Sequence, residues 1–175
     1  MNTADHPRLL PFARHLAALG LALAALLSSA MPPAVGEEIR ADATLELIDA
    51  AGGNLARIQV EIADTPRARA RGLMHRSLPN DESGMLFVFP EAAPRRFWMR
   101  NTPGSLDILF ADADRRIIHI ARGTRPMSDR TYASGGAAKY VLETRAGFAA
   151  RHKILPGARF DYYPRPLRHH GLEQR

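Results

Sequence analysis

The feature that most constrains the fold is a series of short apolar segments, each bounded by turn residues, between residues 44 and 163. In 44–48 and 58–62, apolar side chains alternate with polar ones, which is the period of a half-buried strand. Further segments of this type are 85–89, 97–99, 108–110, 117–120, 140–142 and 159–163. We therefore predict a mostly β domain of about eight short strands with one short helix. A small barrel-like sheet is expected, because closure removes exposed strand edges.

The residues between these segments predict how the strands connect. Residues 49–54 are rich in turn formers and predict a hairpin, and residues 112–115 predict a tighter one. Thr65 followed by proline is typical of a helix start, so a short helix is predicted over 65–75. The long polar stretch 123–136 is predicted to be a mobile or functional loop.

The N-terminal segment 1–30 resembles a secretion signal. Arg8 and Arg14 precede the uncharged, mostly apolar run 16–27, and small residues follow up to Ala30. A membrane span needs about 17–25 apolar residues, whereas the core of a signal peptide needs about 7–15, and only the second length fits this run. We expect cleavage after Ala30 and a periplasmic or secreted protein. The alternatives are an uncleaved N-terminal anchor or an amphipathic helix.

Composition and charge predict the domain limits and narrow the possible partners. We expect a signal peptide over 1–30, a flexible lead-in over 31–43, a single domain over 44–163 and a disordered basic tail over 164–175. The net charge is +6, and the segment 1–30 contributes only +1 of it. Such a balance would suggest nucleic acid in a cytosolic protein, but an exported one faces anionic envelope components or simply has a solvated basic surface. Cysteine is absent, which excludes disulfides, thiolate chemistry and a lipoprotein anchor.

Five sequence blocks occur in a fixed order. They are GLM at 72–74, GMLF at 84–87, FWMRNT at 97–102, LD at 106–107 with Phe110, and YVLE at 140–143 followed by Ala146 and Gly147. Together they resemble the family called domain of unknown function 192, also known as uncharacterised protein family 0127, from about Leu45 to Tyr162. The resemblance implies a compact, barrel-like β domain with a short helix, often placed behind a signal or anchor. It brings no established reaction.

Two acids stand among apolar strand residues, Asp107 and Glu143. Burying a carboxylate costs several kcal/mol unless it is paired or hydrogen-bonded. If their strands are neighbours, the two could form a general acid and base pair, as in sugar hydrolysis. The alternative is that each accepts hydrogen bonds from a turn or pairs with an arginine such as Arg71 or Arg100.

An extended segment over 97–101 would place Trp98 and Arg100 on one face and the other three side chains on the opposite face. Asn101 could then orient a ligand, and Trp98 could stack on a sugar or another ring. The alternative is that the apolar residues fill the core while Asn101 only makes a turn.

Metals and cofactors are not expected. Methionines 74, 85, 99 and 127, with His75 nearby, suggest copper(I), but they form no tight cluster, and core filling is the favoured role of Met74, Met85 and Met99. No histidine pair has the spacing of a helical zinc site. The sequence also lacks a serine-hydrolase elbow, a phosphate loop and a dinucleotide fingerprint.

The leading hypothesis is a non-catalytic, monomeric envelope module that binds a small polar ligand, a glycan or an acidic protein. Its expected pocket lies near Arg71, Trp98, Asn101, Asp107 and Glu143. A carboxylate-dependent hydrolase that uses Asp107 and Glu143 is the second hypothesis. A structural or chaperone-like partner protein is the third, and it predicts an exposed apolar patch. Nucleic-acid binding and stable membrane insertion after cleavage are not expected.

Overall fold

The computed structural model describes residues 38–165, which form a mostly β domain as predicted. Within this range the strands are β1 (Ala43–Ile48), β2 (Asn54–Ala63), β3 (Ser83–Met99), β4 (Leu106–Ala111), β5 (Ile117–Ala121), β6 (Ser128–Arg145) and β7 (Arg159–Pro164), and the helices are α1 (Pro66–Arg71) and α2 (Phe148–Arg151). The predicted signal peptide, most of the lead-in and most of the tail lie outside the described residues. No helix in the described part is long and apolar enough to cross a membrane.

The seven strands form one sheet in the order β5-β4-β6-β3-β2-β1-β7. Strands β2 and β3 pair in parallel, and the other neighbours are antiparallel. At the two ends of this order, one isolated bridge joins Arg116, just before β5, to Arg159 of β7. The sheet is not closed into a continuous barrel, so the barrel-like description holds only loosely.

Strand β3 explains why seven strands are present rather than about eight. The predicted strands 85–89 and 97–99 are the two ends of β3, which continues through residues 90–96. Its pairing with β6 shifts register between Val88 and Ala93 and again after Pro94. Proline is tolerated at such bulges because the ladder is already interrupted there.

The prediction of a loop over residues 123–136 is wrong for most of these residues. Strand β6 begins at Ser128, and its first half pairs with the second half of β3. A long partner strand offers backbone hydrogen bonds to this polar, glycine-containing stretch, and this pairing overrides its local composition.

The predicted helix start is confirmed, but its end is earlier than residue 75. Thr65 Oγ1 accepts a hydrogen bond from the Ala68 N–H at 3.1 Å. Helix α1 ends at Arg71 because Gly72 follows with a φ of 49°. Both predicted hairpins are present. Helix α2 was not predicted, since four residues are too few for a helical periodicity.

The sheet carries a separate apolar cluster on each face. Leu86, Leu142 and Leu109 are aligned across β3, β6 and β4 and belong to one cluster. The next residues along the strands, such as Phe87 and Val141, belong to the other cluster. We call these the Leu142 face and the Val141 face. Because side chains alternate along a strand, a residue's register decides which cluster it joins.

Candidate functional site

A cavity of about 350 Å³ opens between α1 with its following turn and β3, with one residue of β6 in its wall. Its lining contains aromatic side chains, arginines and a single acid. The aromatic residues are Phe87, Phe89, Phe97 and Trp98, the arginines are Arg69, Arg71, Arg96 and Arg100, and the acid is Glu143. An apolar wall with a few polar groups is the usual composition of a small-molecule site.

Two contacts hold the turn that forms one wall of the cavity. The Arg76 guanidinium makes a two-bond ion pair with Glu61 of β2, at 2.9 and 3.2 Å, and also donates to the Gly72 carbonyl at 2.8 Å. The His75 N–H donates to the carbonyl of Asn101 at 2.7 Å. These contacts tie the turn both to β2 and to the segment after β3, so the wall is fixed at two points.

Glu143 is the polar group with the most unusual environment in the cavity. It lies on β6, opposite Met85 of β3 and Ile108 of β4, and is only 4% exposed. No residue in the described range donates a hydrogen bond to its carboxyl group or forms an ion pair with it. Burial raises its pKa from 4.5 to about 8. At neutral pH it is therefore mostly a neutral carboxylic acid, which can donate as well as accept a hydrogen bond.

Asp107 has a different role, because the backbone satisfies both of its carboxylate oxygens. Oδ1 accepts a hydrogen bond from the Gly123 N–H at 2.9 Å, and Oδ2 accepts one from the Ala149 N–H at 3.0 Å. The residue is fully buried. Asp107 thus joins the segment after β5 to the first turn of α2, which is the structural alternative that the sequence left open.

The two acids do not converge. Asp107 is aligned with Thr144, whereas Ile108 is aligned with Glu143. Residues one register step apart point to opposite faces of a sheet, so Asp107 lies on the Leu142 face and Glu143 on the Val141 face. The paired-acid hydrolase mechanism is therefore wrong, because its two carboxyl groups must flank the same bond.

The arginines of the lining differ in how their charge is balanced. Arg69 donates to the carbonyls of Asp64 and Val88, which carry no net charge. Arg96 is exposed and forms no ion pair within residues 38–165. Arg100 lies over the Trp98 ring at 4.1 Å and makes a 2.6 Å ion pair with Asp129. The Arg69 and Arg96 charges thus give this side of the cavity a positive potential.

Three of the five predicted pocket residues line the cavity, namely Arg71, Trp98 and Glu143. Trp98 is 43% exposed, and the Arg100 guanidinium lies over its ring. Asn101 is not part of the lining; it adopts a φ of 55°, and its carbonyl serves the turn instead. Asp107 is also absent from the lining.

Sequence reasoning missed Arg69 and Arg96 as members of this site. Both belong to arginine groups that the sequence shows plainly, at 67–71 and 95–96. Nothing in the sequence indicated that α1 packs beside β3 and brings the two groups to one cavity.

The methionines also occupy different positions. Met85 and Met99 are buried in the cluster on the Val141 face, Met74 lines the cavity, and Met127 is exposed. The first two fill the core, as favoured from the sequence.

Comparisons with known proteins show which family the chain resembles. The DUF192 family model, described as uncharacterized ACR, matches residues 47–162. A crystal structure of a protein from Sinorhizobium meliloti 1021, named as a candidate transcription regulator, is 36% identical, with a TM-score of 0.67, and the match covers 71% of this chain and 97% of that one. A protein of unknown function from Novosphingobium aromaticivorans DSM 12444 is 34% identical, with a TM-score of 0.64, covering 75% of this chain and 91% of that one. No curated protein matches the chain.

Proposed function

Because the chain belongs to the DUF192 family, which has no characterised activity, we propose a function from the site itself. The domain is an exported, non-catalytic module that binds a small polar organic ligand in the cavity between α1 and β3. The ligand's polar group contacts Glu143, and its apolar part packs on the aromatic wall.

The observation that carries this proposal is the buried carboxyl group of Glu143. The carboxyl group borders the cavity, is largely shielded from water and has no hydrogen-bond partner in the described range, and such shielding costs up to about 1–3 kcal/mol. A ligand that hydrogen-bonds to Glu143 would offset this cost, whereas an apolar residue at that position would avoid it altogether. The cavity, at about 350 Å³, falls within the range of small-molecule pockets.

Binding is favoured over hydrolysis because only one of the two acids borders the cavity. A single carboxyl group can orient a ligand by a hydrogen bond. The second acid, Asp107, is occupied by two backbone N–H groups on the other face of the sheet. A glycan or an acidic envelope protein could bind in the same way, provided that one of its polar groups reaches Glu143.

Export is supported by the apolar run 16–27 and the small residues that follow it. We expect the mature chain to start after Ala30 and to be recovered from the periplasm or the medium. Cell fractionation followed by N-terminal sequencing measures both properties. Recovery of the intact N-terminus in the cytosol would contradict export, and recovery of an uncleaved chain in the membrane would support the anchor alternative.

The binding proposal predicts that Trp98→Ala weakens the binding of ligands found by a thermal-shift screen of neutral, anionic and cationic small molecules. An aromatic contact is worth about 0.5–1.5 kcal/mol, so the dissociation constant should rise roughly 2- to 13-fold. Titration calorimetry on the purified chain gives this value.

Tyr163→Ala is the matched control, since Tyr163 is a similarly exposed aromatic residue, on β7, that does not line the cavity. It should leave the affinity unchanged. The proposal fails if the screen yields no ligand, or if every ligand binds wild type and Trp98→Ala equally.

A further inference from the structure

We propose that the ligand is an organic acid with a flat apolar body, held by its anionic group at Arg69 and Arg96 and by a hydrogen-bond acceptor at Glu143. This inference rests on the proposed ligand-binding function and narrows it to one chemical class. Three features of the cavity support it, one for each part of the ligand.

The anionic group is indicated by the guanidinium charges of Arg69 and Arg96, which no carboxylate of residues 38–165 balances. Arg69 donates through Nη1 to two backbone carbonyls, which do not balance its charge, and Arg96 has no ion pair in the described part of the chain. Arg100 differs, because Asp129 neutralises it. A guanidinium group binds a carboxylate in a planar, two-bond geometry, so an organic acid is the natural partner for this side of the cavity.

The flat body is indicated by an aromatic wall that is already held in place. Phe97 packs edge to face against Phe87, with ring centroids 4.9 Å apart and planes at 89°. The Phe89 ring lies beneath two guanidinium groups, those of Arg69 at 5.1 Å and Arg95 at 3.9 Å. Rings fixed in this way offer a rigid apolar surface, which favours a ligand body that is itself planar.

The hydrogen-bond acceptor is indicated by the position of Glu143. Burial raises the pKa of its carboxyl group. Glu143 lies on β6, whereas Arg69 lies on α1 and Arg96 on β3, so the polar groups of the cavity come from different elements and differ in character. The arginines are cationic and Glu143 is a neutral proton donor, so a ligand that satisfies both needs an anion and a separate acceptor.

Matched acid and amide pairs test the anionic group directly. The probes are benzoate, phenylacetate, 4-hydroxyphenylacetate and indole-3-acetate, each beside its primary amide, titrated into the purified chain near neutral pH. The acid of at least one pair should bind about 10-fold more tightly than its amide. Arg96→Ala should remove most of that difference, because it should weaken the binding of the acid far more than that of the amide. Arg67→Ala, on the exposed side of α1 and away from the cavity, is the matched control and should behave as wild type.

The acceptor end is tested by Glu143→Leu. This change should weaken the binding of 4-hydroxyphenylacetate more than that of phenylacetate, because only the former carries a second acceptor oxygen, on the ring, that can reach Glu143 while the carboxylate stays at the arginines. Equal losses for the two acids would overturn the placement of the acceptor.

The outcomes separate this inference from the proposed function. If amides bind as tightly as their acids, or if only neutral or cationic molecules bind, the organic-acid inference is wrong but the binding function stands. If no molecule of any class binds, both are wrong.

Discussion

Asp107→Ala should lower the free energy of unfolding by about 1–3 kcal/mol, the cost of a buried donor left without an acceptor. The buried donor is the Ala149 N–H, which binds the Asp107 carboxylate at 3.0 Å. The second donor, the N–H of Gly123, belongs to an exposed residue and can bind water instead. Asp107→Asn should cost less, because its amide oxygen can still accept one of the two hydrogen bonds while its NH₂ group faces the other donor.

Urea denaturation followed by tryptophan fluorescence measures this effect. Asp114→Ala is the matched control, since Asp114 is exposed in the turn between β4 and β5. The stability of this variant should stay close to that of wild type. If Asp107→Ala unfolded at the same urea concentration as wild type and lost only ligand affinity, Asp107 would be a binding residue. The structural role assigned to it would then be incorrect.

The second large effect is a fall in stability with rising pH that depends on Glu143. In the folded protein burial raises the Glu143 pKa to about 8, against an ordinary value of 4.5. Between these two values the folded state keeps a proton that the unfolded chain has lost. Unfolding therefore releases a proton, and the stability falls by up to about 1.4 kcal/mol for each pH unit. Above the folded pKa both states are ionised, so the fall ends there.

The comparison of wild type with Glu143→Gln isolates this contribution from the other carboxyl groups. Gln is neutral at every pH, so the difference in stability between the two proteins should change steadily from about pH 5 to about pH 8 and then level off. Glu91→Gln, a change of the same kind at an exposed position of β3, should run parallel to wild type. If the plot of stability against pH for Glu143→Gln also ran parallel to that of wild type, Glu143 would not hold its proton in the folded state.

These two acids show how far the sequence could be used for the site. Both stand next to apolar strand residues, so their burial was predictable. Their partners were not, because two backbone N–H groups from distant segments meet Asp107 and none in the described range meets Glu143. Asn101 illustrates the same limit, since its side chain was considered for a ligand while its carbonyl and left-handed backbone conformation serve a turn.

The local elements of this protein could be predicted from short stretches of sequence. Alternating apolar residues defined β1 and β2, the turn residues between strands defined the hairpins, and Thr65 with Pro66 defined the start of α1. Five ordered blocks were enough to identify the family. Each of these signals lies within a few residues of chain, where propensity and side-chain period act directly.

The composition of the site depends on how distant segments pack together. The register between β4 and β6 set Asp107 and Glu143 on opposite faces, and a shift of one residue would have reversed that result. The pairing of β3 with β6 turned a predicted loop into a strand, and the packing of α1 beside β3 brought two arginine groups to one cavity. These outcomes depend on contacts between residues far apart in the chain, which local propensity does not encode.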